Sequence, residues 1–303
     1  MIFEYEGTDI SGLVTMDRCV YDARDEGRVP RLSIDFEDEY GRWDSWSPQP
    51  GDRVSIRASG AAPTGTMYVK SCKPVSGGYE LRADALPTHD APSIRVWNDT
   101  TLSAVVSQLA TVLGLKPQYH GCDDMRFTYV RQRNEGALPV IARVCTLAGC
   151  TFDVHDGVLH VCSRAWAEAQ DSVATLVLSS DSDYEYIRRP LYTSCRITQT
   201  EISGVRPGIS ATYGDSGREL AIELEECVGF PGSRELERAC AGILACANAR
   251  LSGGHVEGSG LTPLTPGAVC AISCEKSPSL SGAAVVTRVR NDFANGKSKV
   301  WWR

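Results

Sequence analysis

The sequence predicts a mainly β fold of the α+β class, with a small αβ segment between two β segments. Three observations carry this. Apolar and polar residues alternate with a period of two through residues 1–85, and again through much of 165–303. Two stretches within 86–164 instead repeat apolar residues at helical spacing. Clusters of Gly, Pro, Asn and Asp punctuate the alternating runs at short intervals, as turns between strands do.

In residues 1–85, Leu32, Ile34 and Phe36 alternate with Ser33, Asp35 and Glu37. Val54 and Ile56 alternate with Arg53, Ser55 and Arg57; Tyr79, Leu81 and Ala83 alternate with Glu80 and Arg82. Strands of this kind bury one face and expose the other. Breaks fall at Tyr40-Gly41, Pro48-Gln49-Pro50-Gly51-Asp52, Ser59-Gly60 and Gly77-Gly78. The acidic run Glu37-Asp38-Glu39 before Tyr40-Gly41 reads as a solvated hairpin tip. Trp43 and Trp46 beside it read as packing residues ahead of a sugar platform.

In residues 86–164, Leu102, Val105, Val106, Leu109, Ala110 and Leu113 form one helical stripe, with Asp99 or Thr100 as cap and Gly114 as stop. Leu138, Ile141, Cys145 and Ala148 form a second, with Asn134 as cap, Pro139 in the first turn and Gly149 as stop. Each helix runs into a short strand, so helix–Gly–strand occurs twice. Asp156-Gly157 between alternating arms predicts a tight hairpin.

Residues 165–303 return to strands around one helix. Leu220, Ile222 and Leu224 alternate with Glu219, Ala221 and Glu223. A helical stripe runs Leu236, Ala239, Cys240, Ile243, Leu244, Ala247 and Leu251, with Ser233 as cap and Gly253-Gly254 as stop. Short strands follow around Val269–Ile272, Val285–Val289 and Lys299–Trp302, the last with one Trp inward and one outward.

Composition narrows the function. The chain has 303 residues, 42% hydrophobic and 23% charged, which argues against disorder, collagen and coiled coil. Its apolar runs are too short and too polar to span a bilayer. The start, Met1 to Ile10, has no basic or apolar leader region, so no secretory signal is expected and the Asn98-Asp99-Thr100 sequon has no role. Net charge is −7, with 10 basic against 15 acidic residues in 1–85, 7 against 7 in 86–164 and 14 against 16 in 165–303. Without a basic stretch, sequence-specific or tight nucleic-acid binding is not expected.

No catalytic, cofactor or metal residue is assigned. Gly214-Asp215-Ser216-Gly217 matches the tetrapeptide around a trypsin-like nucleophile, but a Ser nucleophile needs a base and an orienting acid. None of the five His sits in such a context, and the tetrapeptide reads as a hairpin turn. His120-x-Cys122, His160-x-Cys162 and His155 carry metal-ligand types, but the chain has no C-x-x-C. The twelve cysteines read as reduced thiols used as small hydrophobes, Cys145 and Cys240 on helical stripes and Cys270 and Cys274 sharing a strand face. P-loop, Rossmann, H-E-x-x-H and EF-hand patterns are missing.

Four segments, in order, resemble the phage late control D-type proteins, the baseplate hubs of contractile phage tails and related injection systems. Phe36 to Arg57 resembles the family's early acidic turn, Trp and Pro-x-x-Gly-Asp strand entry. Ile94 to Tyr119 resembles its first insert helix, with Trp97, Thr101-Leu102 and Gly114-Leu115. Phe127 to Val161 resembles its second, with Gln132, Asn134-Glu135, Gly149 and a closing hairpin. Ser233 to Leu251, followed by Gly258 to Ile272, resembles its late Ala-rich helix and Gly-rich strand entry. The chain departs from the pattern at Gly136-Ala137-Leu138-Pro139, where an acidic, aromatic-rich start is common, and in its last strand, which lacks the Gly-aromatic-Thr pattern. With no spike β-helix read in these residues, a hub that works with a separate spike is expected ahead of a fused hub–spike protein.

The resemblance implies two tube-type β-barrel domains, 1–85 and 165–303, flanking an αβ insert, 86–164. It implies a non-enzymatic hub, without cofactor, in which three copies form a homotrimeric ring between a hexameric tail tube and a trimeric central spike. The partners would be the tail tube protein, the spike and other baseplate proteins, with no membrane insertion. The place would be the virion tail baseplate, assembled in the host cytoplasm. The alternatives are a glycan-binding tail module built on the loosely LysM-like insert, and a hydrolase or peptidase using Ser216 or a Cys–His pair.

Overall fold

The computed structural model describes residues 1–25, 27–179, 182–199, 208–224 and 226–303. Strand makes up 49% of the chain and helix 18%, so the fold is mainly β as the alternation predicts. The first strands are β1 (Ile2–Tyr5), β2 (Thr8–Asp9), β3 (Thr15–Arg24) and β4 (Arg31–Glu37). A five-residue helix α1 (Arg42–Trp46) precedes β5 (Arg53–Arg57), β6 (Met67–Val75) and β7 (Gly78–Asp84). The alternating apolar residues are the buried ones: Leu32, Ile34 and Phe36 on β4, Val54 and Ile56 on β5, Tyr79, Leu81 and Ala83 on β7. The acidic run is not a hairpin tip. Asp38 accepts hydrogen bonds from the backbone N–H of Arg42 (2.7 Å) and Trp43 (3.1 Å), which starts α1 and drives Trp43 into the core.

The middle segment holds β8 (Ser93–Thr101), α2 (Leu102–Val112), β9 (Lys116–His120), β10 (Arg126–Glu135), α3 (Ala137–Leu147), β11 (Cys150–His155), β12 (Val158–Ser163) and α4 (Arg164–Glu168). The expected stripe of α2 is buried, but its cap is Thr101, because β8 extends through Asp99 and Thr100. Asn134 does not cap α3. It lies at a bulge within β10 with φ 49°, and the first turn of α3 is capped from outside by Asp90, whose carboxylate accepts from Ala137 N–H and Leu138 N–H. An acceptor 47 residues away is invisible to a local pattern. Asp90→Ala is expected to cost about 0.5–2 kcal/mol, the usual worth of a helix cap, read as a lower chemical-denaturation midpoint. Asp156-Gly157 turns the β11–β12 hairpin with φ 48° and 78°, as predicted.

The last segment contains β13 (Ala174–Leu178), β14 (Asp183–Arg188), β15 (Ser194–Gln199), β16 (Ile209–Gly214), β17 (Glu219–Leu224) and β18 (Val228–Gly229). After them come α5 (Ser233–Asn248), β19 (Ser252–Ser259), β20 (Val269–Cys274), β21 (Gly282–Asp292) and β22 (Lys297–Trp302). Ser233 opens α5 as its first helical residue without capping it, and Gly253-Gly254 is not its stop. The two glycines lie in β19, where a Cβ on Gly254 would sit 2.7 Å from the Trp302 ring and 2.6 Å from the Glu185 carbonyl. Their bareness lets β14, β19 and β22 close around Trp302, which is buried while Trp301 is only partly so.

One thirteen-stranded sheet runs β14-β19-β22-β21-β3-β4-β7-β6-β5-β1-β2, with β13 and β20 attached through β21. β21 joins the two ends of the chain. On one edge its first residues pair with β20 and its later ones with β3, while the other edge pairs with β22. Three smaller sheets are β18-β10-β8, β11-β12-β9 and β16-β15-β17. α5 packs on β15 and β16 and also on α3, and β18 pairs with β10, so residues from β15 to α5 stand against the αβ segment. The main core runs through the first β segment, the αβ segment and α5; a second core gathers Leu178, Leu264, Cys270, Ile272, Cys274, Val286, Val289, Val300 and Trp302.

Candidate functional site

The feature with reach across the molecule is the polar face of the large sheet. Strand register places Glu185, His255, Trp301, Arg288 and Arg24 in one cross-strand row from β14 to β3. Neighbouring rows carry Asp22, Asp35, Glu80, Arg82, Lys73 and Lys299. Acids and bases pair on this face: Arg82 bonds Asp35 at 2.7 Å and Glu80 at 3.1 Å, Lys73 meets Glu80 at 3.3 Å, and Lys299 meets Glu257 at 3.5 Å. Arg288 also lies 4.2 Å over the Trp301 ring. Exposed pairs of this kind add little stability, but they keep this face wetted.

Asp22 ties the two ends of the chain together on that face. It accepts from Arg24 (Nε at 3.2 Å) and from Arg288 through both Nε (2.9 Å) and Nη2. Burial alone would raise its pKa; the bonds from Arg288 and Arg24 outweigh that and hold it below the usual carboxylate value.

The sheet also has open edges. β14 pairs only with β19, β2 only with β1 and β13 only with β20 among the described residues. β13 reads Ala-Thr-Leu-Val-Leu, with no charge and no Pro, and Val173 just before it and Val177 within it are 66% and 64% exposed. A bare apolar edge of this kind is an association surface or an aggregation hazard.

The residues singled out for chemistry do not converge. Gly214-Asp215-Ser216-Gly217 is not a hairpin turn, because β16 and β17 do not pair with each other. β15 lies between them, antiparallel to one and parallel to the other, and the tetrapeptide crosses the start of β15. Both glycines have positive φ, 100° and 145°, and a Cβ on Gly214 would run into the Thr193 carbonyl oxygen. Asp215 N–H donates to that oxygen at 3.1 Å. Ser216 is exposed and makes no side-chain bond to His among the described residues. Ser216→Ala is therefore expected to change stability by less than about 0.5 kcal/mol, and Gly214→Ala to cost about 1–3 kcal/mol, both read from denaturation midpoints.

The His and Cys motifs do gather on β9, β12 and the segment after β9. His120 Nε2 and His160 Nδ1 are 3.3 Å apart, and Trp166 tilts against His120 at 4.7 Å. Burial, then the charges of His120 and His155, lowers the pKa of His160. Cys122 donates to the carbonyls of Val161 (3.2 Å) and His120 (3.4 Å), and to no imidazole. A bond from Cys150 lowers its pKa to about 7 against the effect of burial. No three His, Cys, Asp or Glu side chains among the described residues are placed to hold a metal ion. Trp43 is 1% exposed, stacks on Tyr79 and tilts against Phe36, with the exposed Trp46 edge-on to it, so Trp43 is core and Trp46 packs against it at the surface. Sequence reasoning had no means of finding the continuous polar face, since its rows join residues up to 266 apart.

No protein-family model matches the chain. No curated protein matches it by sequence. Solved structures do match by fold. The 43 kDa tail protein of prophage MuSo2 from Shewanella oneidensis superposes with a TM-score of 0.71 at 14% identity, over 100% of this chain and 97% of that one. A tail protein from Neisseria meningitidis MC58 gives 0.72 at 12% identity, over 99% and 95%. The E. coli c3393 protein, a type VI secretion component described as similar to the T4 tail proteins gp27 and gp5, gives 0.61 at 11% identity, over 100% and 76%. The chain thus has the fold of phage tail proteins, and the resemblance read from the sequence holds at the level of the fold.

Proposed function

We propose that this chain is a structural, non-enzymatic subunit of a phage-type tail: the baseplate hub of a contractile tail or tail-like particle. In this reading three copies close a homotrimeric ring that adapts a hexameric tail tube to a trimeric central spike. Residues 1–85 and 165–303 supply the two wall units per copy, and residues 86–164, braced by α5, stand apart from the wall. The ring works in the virion tail baseplate, is assembled in the host cytoplasm, and meets the tube protein, the spike and neighbouring baseplate proteins.

The observation that carries the reading is the polar face continued from one end of the chain to the other through the β21–β3 pairing. A ring wall needs one wetted face spanning both units, and open edges that a neighbour completes. Self-paired charges suit a conduit, because a passing polyanion meets no uncompensated cluster of one sign. A ring contact of this kind should bury on the order of 2,000 Å² or more.

Electron microscopy of the assembled particle tests this. Three copies around the tail axis are expected, with the Asp22–Arg288 face toward the lumen. One or two copies per particle, or two β units of unrelated topology, would overturn it.

A further inference from the structure

We propose that Cys122 and Cys150 are a peroxide-sensitive thiol pair that closes to a disulfide across the end of β12, independently of the hub reading. The two residues lie on either side of that strand. Cys150 opens β11 and pairs in register with Ser163, the last residue of β12. Cys122 lies two residues past β9, the strand on the other edge of β12. Gly121 carries the chain back over the same serine: a Cβ on it, at φ 60°, would sit 3.0 Å from Ser163 Oγ. Cys122 Sγ then rests 3.2 Å from the Val161 carbonyl oxygen, and the Cys150 thiol donates a hydrogen bond to that sulfur. Sulfurs brought into contact meet the first requirement of a disulfide.

Contact alone does not make a thiol pair reactive; the attacking thiol must also be reached from solvent and ionise. Cys122 meets both conditions. It is half-buried between the exposed Gly121 and Asp123, and its thiolate is held by the Cys150 thiol and the Ser163 backbone. Cys195 and Cys240 are in similar contact, but both are fully buried, so a peroxide does not reach them while the fold persists. The Cys122 thiolate attacks one oxygen of hydrogen peroxide. An S–O bond forms, the O–O bond breaks, and the leaving hydroxide takes up the proton that Cys122 released, giving water. Oxidation also removes the thiolate that keeps Cys150 protonated, the largest cause of the raised pKa of that thiol. Cys150 sulfur then attacks Cys122 sulfur. The S–S bond forms as the S–O bond breaks, and the hydroxyl leaves with the Cys150 proton as a second water. Two thiols are oxidised and one peroxide is reduced. The bond closes residues 122–150, with β10 and α3 inside the loop, and so braces the αβ segment in an oxidising medium.

Treatment of the folded full chain with hydrogen peroxide, then alkylation and peptide mapping without reduction, tests the pair. Free thiols are expected to fall by two from twelve, with one linked peptide joining Cys122 to Cys150 and full recovery in dithiothreitol. Cys122→Ser, at a half-buried position, should slow thiol loss at least about tenfold. Cys150→Ser should lose the link and leave Cys122 as a sulfenic acid that dimedone labels, a signature that a merely structural role for Cys150 does not produce. Circular dichroism of each treated sample confirms that the fold is kept, and the wild-type map decides the linkage without either variant. A link between Cys195 and Cys240 ahead of this one, a link from Cys122 to any other cysteine, or equal thiol loss in Cys122→Ser would each overturn the proposal. So would a wild-type chain that keeps all its thiols.

Discussion

Trp43→Ala should be among the most destabilising single substitutions in this chain, costing about 3–5 kcal/mol. Trp43 is 1% exposed and is among the largest fully buried side chains. Its ring centroid lies 4.3 Å from Phe36, 5.7 Å from Tyr79, 5.8 Å from Tyr5 and 5.2 Å from Trp46. Truncation removes those contacts and leaves a cavity that the surrounding strands cannot close. It also removes what holds α1 in place. Five residues are too few to be helical alone, and α1 is kept by Trp43 below and the Asp38 cap at its start. Trp46→Ala, at 38% exposure, should cost no more than about 1.5 kcal/mol. Urea unfolding followed by circular dichroism checks the pair. Equal costs for the two would mean that α1 does not anchor the end of the sheet.

The contrast between those tryptophans shows what was legible in the sequence. Period-two alternation located β4, β5, β7 and β17, because each strand keeps one face in the core and its identity rests on neighbours two residues away. The i, i+3, i+4 stripes located α2, α3 and α5 for the same local reason. What escaped depends on partners far along the chain. Asp90 caps α3, Asp38 starts α1 where a turn was expected, and β15 separates β16 from β17 where a hairpin was expected. Glycine pairs read as helix stop and turn are instead places of close approach, to Trp302 and to Thr193. The buried polar atoms of Arg303 and Asp153 follow from packing that no spacing rule encodes.

Asp153 yields the other large effect, and its sign depends on pH. It lies on β11, on the face of the hairpin that meets the end of β3, where Thr151 Oγ1 donates to the Asp25 carbonyl. The residue keeps some surface, but Oδ1 is buried and has no hydrogen-bond partner among the described residues. Burial, reinforced by the charge of Asp25 and opposed by the Val154 N–H, raises its pKa to about 7. In the unfolded chain an Asp titrates near 3.9. Below that value both states hold the proton and Asp153 costs nothing. As pH rises from about 4 to about 7, the unfolded chain releases the proton while the folded one retains it, so stability falls; above about 7 the penalty is constant. A shift of this size sets a ceiling of roughly 4 kcal/mol. Asp153→Asn, which cannot ionise, is expected to be the more stable protein at pH 8 by up to that amount and to match the wild type near pH 4. Asp22 acts in the opposite sense: its lowered pKa stabilises the fold above the ordinary carboxylate value, and this is lost as pH falls further. Its contribution therefore remains in Asp153→Asn, and both proteins should weaken together in strong acid. Urea midpoints for the two between pH 4 and pH 8 decide the matter. Curves that stay parallel across that range would show that Asp153 is ionised in the fold and that the hairpin meets β3 without holding a neutral acid.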